Sequence, residues 1–223
     1  MTDTIVLKDV VPLTHDTNRY IFSRPDNLSF KPGQATELTI DADGWRDEAR
    51  PFTFTSQPED SDLEFTIKSY PEHDGVTEKL AKLTAGATAM LDEPFGAIQD
   101  EGPGVFLAAG AGVTPFIPIL RRRSRENAIE GCTLIFSNKT TDDIIMRGEW
   151  EAMQGLKTVF TVTDEETDGV ETAKIDKAFL EKHISDFDQK FYLCGPEGFV
   201  DDVRDALKEL GAEKDNIITE EGW

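Results

Sequence analysis

Two glycines, a threonine and a proline follow one apolar stretch of the sequence and could hold an anion. Gly110, Gly112, Thr114 and Pro115 come directly after the apolar run GVFLAA and open a pattern typical of a helix. Glycine lets the backbone approach an anion closely, and the exposed amides at a helix start attract negative charge. Pro115 suits a first helical turn because its missing N–H would have no partner there. The turn is a candidate phosphate-binding site, although such turns also close strand–helix junctions for packing alone.

A cysteine ends a later apolar run. Cys194, Gly195 and Pro196 follow KFYL and precede another helical pattern. In an open parallel sheet the carboxyl ends of the strands share one edge, where ligands bind. Cys194 is therefore expected near the glycine turn, where it could face a nicotinamide. The alternative is a small core residue, which is a common role for cysteine.

A second group of candidates lies in the N-terminal half. Arg50 opens the run RPFTFTS, and a buried guanidinium needs an anionic partner because an unpaired buried charge is costly. Its planar fork suits a diphosphate. Phe52 could lie against an aromatic ring, and the Thr53 hydroxyl can donate a hydrogen bond. A salt-bridged arginine on an edge strand is the alternative.

A cation, an aromatic ring and a helix start lie close together farther along the chain. Lys68 and Tyr70 precede Gly75, Val76 and Thr77, which open the short helical pattern VTEKLAKL. All three features suit a phosphate-bearing cofactor. An ordinary hairpin-to-helix corner would carry the same residues.

The elements that must position these candidates show two different spacings of apolar residues. From Thr4 to about Leu91, short β-rich runs alternate with turn formers, which is typical of an antiparallel barrel or sandwich. After the acidic, glycine-containing break at 98–104, apolar strands alternate with longer helices, which indicates a parallel sheet covered by helices. We predict a two-domain α+β protein: an antiparallel Greek-key β-barrel in residues 1–100, then an α/β parallel-sheet domain in residues 101–223.

Composition excludes several classes of function. The formal net charge of −21 argues against nucleic acid and anionic membranes as partners. Its two alternative explanations are that it keeps the protein soluble or that it forms a surface for docking a basic protein. Two distant cysteines and three scattered histidines do not form an iron–sulfur or zinc site, so we expect no metal. No run is long and apolar enough to span a bilayer, and the start lacks the features of a signal peptide. We expect a cytoplasmic protein without membrane insertion.

Five segments in this order resemble the ferredoxin–NADP reductase superfamily over essentially the whole chain: RPFT, IKSY with DGVT, GAGVTP, CGPEG and a terminal aromatic. The superfamily includes cytochrome-type and flavodoxin-type reductases. The resemblance implies that Arg50 binds the diphosphate of FAD, that Phe52 stacks on the flavin and that Thr53 faces its hydride-accepting nitrogen. It implies that the FAD site is completed by Pro51, Ile67, Lys68, Tyr70, Gly75, Val76 and Thr77. It implies that the nicotinamide nucleotide is bound by Gly110, Gly112, Thr114, Pro115, Cys194, Gly195 and Pro196.

The resemblance also implies which residues act at the reacting rings. These are Thr53, Cys194, Glu221 and Trp223, with Trp223 covering the flavin face until the nicotinamide displaces it. Two departures stand out: Phe52 replaces the usual tyrosine, and Thr77 replaces the commoner serine, with the neighbouring glycine displaced by one position. FMN instead of FAD is therefore the alternative cofactor.

The implied function is a flavin-dependent oxidoreductase that takes a hydride from NADH or NADPH onto bound FAD. The electrons would pass to a protein acceptor such as ferredoxin, flavodoxin or a cytochrome. Only Lys139 stands where an arginine would select the 2′-phosphate, and the pattern after TLIFSN favours NADH. The alternative function is a non-catalytic or electron-transfer regulatory subunit, which the lack of a cysteine cluster disfavours. The arginines at 121–125 either complement a helix dipole or dock an acidic carrier.

Overall fold

The structure is a computed structural model that describes residues 2–70, 75–96 and 98–220. Its first sheet is antiparallel, with strand order β4-β3-β6-β1-β2-β5. The elements of this part of the chain are β1 (Asp3–Pro12), β2 (Thr17–Ser23), β3 (Ala35–Ile40), β4 (Arg50–Thr53), β5 (Asp62–Lys68), the short helix α1 (Val76–Ala81) and β6 (Thr88–Leu91).

The two edge strands of this sheet meet and close it into a barrel. Phe54, which directly follows β4, forms a bridge with Phe65 of β5, and the Thr55 amide donates to the Glu64 carbonyl at 2.7 Å. Strand β6 returns to lie between β1 and β3, which is a Greek-key connection. The interior is aromatic: the ring of Phe30 stacks on that of Phe54 with centroids 4.2 Å apart. Closure places the Arg50–Thr53 strand beside the carboxyl end of β5.

The second sheet is parallel, with strand order β10-β9-β8-β7-β11-β12. Its elements are β7 (Gly104–Ala109), α2 (Phe116–Arg125), β8 (Thr133–Asn138), α3 (Arg147–Ala152), β9 (Lys157–Val162), β10 (Glu171–Thr172), α4 (Lys177–His183), β11 (Lys190–Cys194), α5 (Glu197–Glu209) and β12 (Ile217–Thr219). A short 3₁₀ turn, Gly110–Val113, connects β7 to α2.

Helices cover both faces of this sheet because successive side chains of each strand point to opposite sides. On β7, Phe106 and Ala108 pack with residues of α2 and α3, whereas Val105 and Leu107 pack with residues of α4 and α5. Strand β7 lies between β8 and β11, so the strand order reverses there and opens a crevice at the carboxyl ends. The predicted fold class is confirmed: an antiparallel barrel precedes a parallel α/β domain.

Residues 92–103 connect the two sheets, and the predicted domain boundary at residue 100 lies within this segment. Across the described ranges, every helix is too short or too polar to cross a bilayer.

Candidate functional site

A cavity of about 1170 Å³ lies between the barrel and the α/β domain. The barrel contributes strand β4 and the carboxyl end of β5, and the α/β domain contributes the segments that follow β7, β8, β9 and β11. The switch point of the parallel sheet therefore faces the barrel edge. This cavity contains most of the residues that the sequence proposed for chemistry.

The two glycines of the turn after β7 are required for different reasons. Gly110 has a φ of +53°, which L side chains rarely adopt, and a Cβ there would meet nothing within 4 Å. A Cβ on Gly112 would lie 2.2 Å from the Cys194 carbonyl oxygen, because the turns after β7 and β11 pack directly against each other. The expected proximity of Cys194 to the glycine turn is confirmed.

Two threonine hydroxyl groups, one from each domain, face each other in the cavity. The Thr114 Oγ1 atom lies 3.5 Å from Thr53 Oγ1, at the outer limit of a hydrogen bond. Cys194 and Glu220 also line the cavity. Burial raises the pKa of the Cys194 thiol, and the nearby Glu220 raises it further, so the thiol is neutral at physiological pH. Burial also raises the pKa of the Glu220 carboxyl group.

These side chains do not form a nucleophile–base pair. A neutral thiol and two hydroxyl groups can donate or accept hydrogen bonds but supply no activated attacking group. The arrangement suits the positioning of ligands that bring their own reactivity.

A charged cluster occupies one side of the cavity. The Lys68 Nζ atom lies 2.9 Å from an oxygen of Asp16 and 3.3 Å from an oxygen of Asp143, which belongs to the α/β domain. Burial alone would raise the pKa of Asp143, but hydrogen bonds from Thr140 and the charge of Lys68 lower it overall. His15, Asp16 and Asp143 could approach a cation, but the Lys68 ammonium already neutralises part of their charge.

The cavity collects most of the predicted site residues. Its lining includes Pro51, Phe52, Thr53, Ile67, Lys68, Tyr70, Thr77, Gly110, Gly112, Thr114, Pro115, Cys194, Gly195 and Pro196.

Three predicted residues do not line this cavity. Arg50 is half-exposed, and its guanidinium binds a carboxylate oxygen of Glu48 at 3.0 Å. The Val76 side chain is 3% exposed and packs in the barrel core, and Gly75 precedes α1 as its N-cap. Glu221 and Trp223, predicted to act at the reacting rings, lie outside the described residues.

Several cavity residues were missed by the sequence analysis, and they share one signal. Asn138 ends β8, and Thr163 and Asp164 follow β9, so all three stand at carboxyl ends of parallel strands. Asn138 is 6% exposed, and neither polar atom of its side chain has a protein partner. An unpaired buried amide costs about 1–3 kcal/mol, so Asn138 fits a site that is completed by a polar ligand. Glu220, which follows β12, also lines the cavity, whereas the sequence analysis had named the neighbouring Glu221 instead.

The arginines at the end of α2 pair within the protein. The partners are Glu64 and Glu149 for Arg121, Glu59 and Glu126 for Arg122, Asp100 for Arg123 and Asp60 for Arg125. Because each guanidinium already has a carboxylate partner, these residues do not form a free basic patch. A docking role of these residues toward an acidic carrier stays a prediction.

Comparison with known proteins agrees with this architecture. Residues 106–205 match the family model described as the oxidoreductase NAD-binding domain. The chain is 26% identical over 227 residues to the ferredoxin reductase component of 3-ketosteroid-9-alpha-monooxygenase from Rhodococcus rhodochrous, covering 97% of this chain and 64% of that protein. It is 27% identical over 232 residues to NADH-cytochrome b5 reductase 1 from Eremothecium gossypii, covering 94% and 79%.

The fold also matches a solved structure over its whole length. The FAD/NAD-binding domain of nitric oxide dioxygenase from Vibrio cholerae superimposes with a TM-score of 0.87 at 24% identity, covering 97% of both chains. At this identity the match establishes the fold. Together with the NAD-binding family model and the relatives, it confirms the resemblance seen in the sequence. Residues 106–205 thus match an oxidoreductase NAD-binding domain, and the chain as a whole resembles the ferredoxin–NADP reductase superfamily in its fold and in the order of its domains.

Proposed function

We propose that this protein is an NAD(P)H-dependent flavoprotein reductase, in which electrons pass from a nicotinamide nucleotide through bound FAD to a protein acceptor. One observation carries the proposal: the barrel strand with Thr53 and the nucleotide turn with Thr114 face each other across one cavity, 3.5 Å apart at their hydroxyl groups. Cys194 lines the same cavity. Two ligands bound to the two domains would therefore meet at this point.

The cavity fits two planar ligands. Its volume of about 1170 Å³ exceeds the roughly 300–1,000 Å³ typical of a single small-molecule site. On the barrel side Phe52 and Tyr70 offer aromatic surface and Thr53 offers a hydroxyl group. On the other side the open space at Gly110 and the unpaired amide of Asn138 suit a phosphate-bearing, polar ligand. Arg50 could bind a diphosphate after it leaves Glu48, and this role stays a prediction.

A bound flavin would supply the redox chemistry, since flavins take two electrons from a nicotinamide and can release them singly. The chain's residues would hold and orient the ligands. The Thr53 and Thr114 hydroxyl groups would donate to ring atoms, and the neutral Cys194 thiol would offer a soft surface in the same cavity. Contact between Gly112 and the Cys194 carbonyl fixes this side of the site. The roles of Glu221 and Trp223 stay predictions.

We propose NADH as the preferred nucleotide. Asp164 lines the cavity after β9, and its amide donates to the Lys139 carbonyl at 2.9 Å. A carboxylate that lines the cavity can accept a hydrogen bond from a ribose hydroxyl and repels a 2′-phosphate. No arginine lines the cavity among the residues described.

The proposal is tested by steady-state kinetics of FAD-loaded protein with NADH, NADPH and ferricyanide as a one-electron acceptor. We expect NADH to be preferred, and Asp164→Ser to narrow the gap between the two nucleotides. Thr53→Val should slow turnover, because it removes the hydroxyl group at the meeting point while keeping the side-chain volume. A loaded protein that reduces ferricyanide with neither nucleotide would refute the function. In protein that is active with ferricyanide, the acceptor (ferredoxin, flavodoxin or a cytochrome) is identified by replacing ferricyanide with each carrier. The cytoplasmic location stays a prediction.

A further inference from the structure

Helix α2 is joined to the barrel along one line of polar contacts. The line begins at the Thr114–Thr53 contact of 3.5 Å, just before the helix. One turn farther on, the buried amide of Gln57 donates to the Pro118 carbonyl at 2.9 Å. The next turn carries Arg121, whose side chain is 16% exposed. We call this line the α2 seam.

Arg121 forms the most extensive connection in the α2 seam. Its Nη1 atom donates to the Glu64 carboxylate at 2.8 Å and to the Thr55 carbonyl at 3.1 Å, both in the barrel. Its other edge binds both carboxylate oxygens of Glu149, at 2.6 and 2.9 Å, within its own domain. Planar bidentate pairing of this kind is geometrically specific. Arg121 therefore fixes a barrel strand, α2 and α3 in one arrangement.

Electrostatics keep this guanidinium charged and held in place. Burial alone would lower the pKa of Arg121, but the hydrogen bond with Glu149 and the charge of Glu64 raise it overall. Glu64 is in turn held by the Thr55 hydroxyl at 3.0 Å. Each charged group in this cluster has an opposite partner, as a buried network requires.

The position of Arg121 relates directly to the meeting point of the two ligands. It stands seven residues after Thr114 on the same helical segment, about 10 Å along the axis at ~1.5 Å per residue. Its barrel partner Thr55 stands two residues after Thr53, about 7 Å along the strand at ~3.3 Å per residue. A small rotation of α2 at Arg121 would therefore change the Thr53–Thr114 separation. We propose that Arg121 is a positioning residue: it sets the angle between the domains and thereby the distance between flavin and nicotinamide.

The same helix provides a matched control. The Arg125 side chain is 55% exposed, and its contact with Asp60 is 3.6 Å long. Exposed pairs of this kind contribute little to a structure. Arg125→Met therefore removes the same charge from the same helix without opening the α2 seam.

The first test needs neither flavin nor nucleotide. Amide hydrogen exchange is measured on the full chain for wild type, Arg121→Met, Arg125→Met and the milder Glu64→Gln, which keeps the Arg121–Glu149 pair. We expect faster exchange at residues 53–57 and along α2 in Arg121→Met and Glu64→Gln, and wild-type protection in Arg125→Met. Wild-type protection in both seam variants would overturn the proposal.

The second test rests on the proposed function. With flavin bound and NADH saturating, we expect the limiting rate of flavin reduction to fall about 10- to 100-fold in Arg121→Met, because misplacement of about 1 Å can cost 10²-fold. The KM for NADH should change little, and Arg121→Lys should recover part of the rate. Equal limiting rates in Arg121→Met and Arg125→Met would overturn the positioning role. If the wild type binds no flavin, the proposed function fails, whereas the exchange experiment still decides whether Arg121 joins the domains.

Discussion

Replacing Lys68 by methionine removes the ammonium that lies between two carboxylates from different domains. Lys68 Nζ is 2.9 Å from Asp16 and 3.3 Å from Asp143, and the three side chains are largely buried, at 18%, 19% and 9% exposure. The carboxylate oxygens lie within 4.8 Å of each other. Without the cation these two negative charges repel, and each loses a charged hydrogen bond.

The size of the effect follows from the contacts. A hydrogen bond to a charged group contributes about 1.5–3 kcal/mol. Because the cluster keeps some access to solvent, we expect a net loss of about 2 kcal/mol in the free energy of unfolding, below the ~3–5 kcal/mol seen for fully buried pairs. For a chain of this size that loss lowers Tm by roughly 4–8 °C.

The pH dependence gives this prediction its sign. Burial alone would raise the pKa of Asp16, but hydrogen bonds from Lys68 and Thr17 lower it overall, and the pKa of Asp143 is lowered as described above. Their stabilisation is present above the ordinary value of 3.8 and is lost as the pH falls through the lowered values. The gap between wild type and Lys68→Met should therefore be full at neutral pH and should close in acid.

Urea unfolding at neutral pH and in acid measures this gap directly. The control is Lys177→Met, because the Lys177–Glu209 pair is exposed and should contribute under about 1 kcal/mol. The reasoning is refuted if Lys68→Met matches Lys177→Met at neutral pH, or if its deficit is the same at both pH values.

Four further substitutions test the cavity. Gly112→Ala should destabilise the protein by about 3 kcal/mol in thermal unfolding, since its Cβ would lie 2.2 Å from the Cys194 carbonyl oxygen. Gly110→Ala has open space around it and should cost only about 1–2 kcal/mol of backbone strain. Equal losses in the two variants would contradict this. Because burial raises the pKa of Glu220, the wild type should lose stability as the pH rises from 4.5 through that raised value. Glu220→Gln cannot ionise and should not show this loss. Urea midpoints with identical pH profiles in the two proteins would contradict the burial argument. The resemblance implies that a tyrosine at position 52 would donate a hydrogen bond to the ribityl chain of the flavin. Phe52→Tyr should therefore tighten FAD binding by roughly 3- to 10-fold in a fluorescence titration, corresponding to one hydrogen bond of about 0.5–1.5 kcal/mol, and an unchanged Kd would contradict this.

The sequence predicted the features that depend on local pattern. The run GVFLAA followed by a glycine turn forms a central strand and the start of a helix because its apolar residues are buried on both faces. The proximity of Cys194 to that turn followed from the rule that parallel strands share a carboxyl edge. Both predictions rest on periodicity and topology, which the amino-acid order contains.

Long-range pairing could not be predicted in the same way. The partner of Arg121 in the barrel, Glu64, is far away in the sequence, and an acidic chain offers many alternatives. The pair of Arg50 with Glu48, two residues earlier, is by contrast local, and it is the salt-bridged alternative that the sequence had left open. Choices among charged partners depend on how the domains dock, and that information appears only in three dimensions.

The central claim is that barrel and α/β domain bring two ring systems together in the cavity between Thr53 and Cys194. Its most direct test is an anaerobic titration of the purified, FAD-loaded chain with NADH, followed by absorbance. We predict tightly bound flavin, loss of its oxidised absorption with about one equivalent of NADH, and slower loss in Thr53→Val. Protein that takes up neither FAD nor FMN, or bound flavin that stays oxidised with excess NADH and NADPH, would contradict the account.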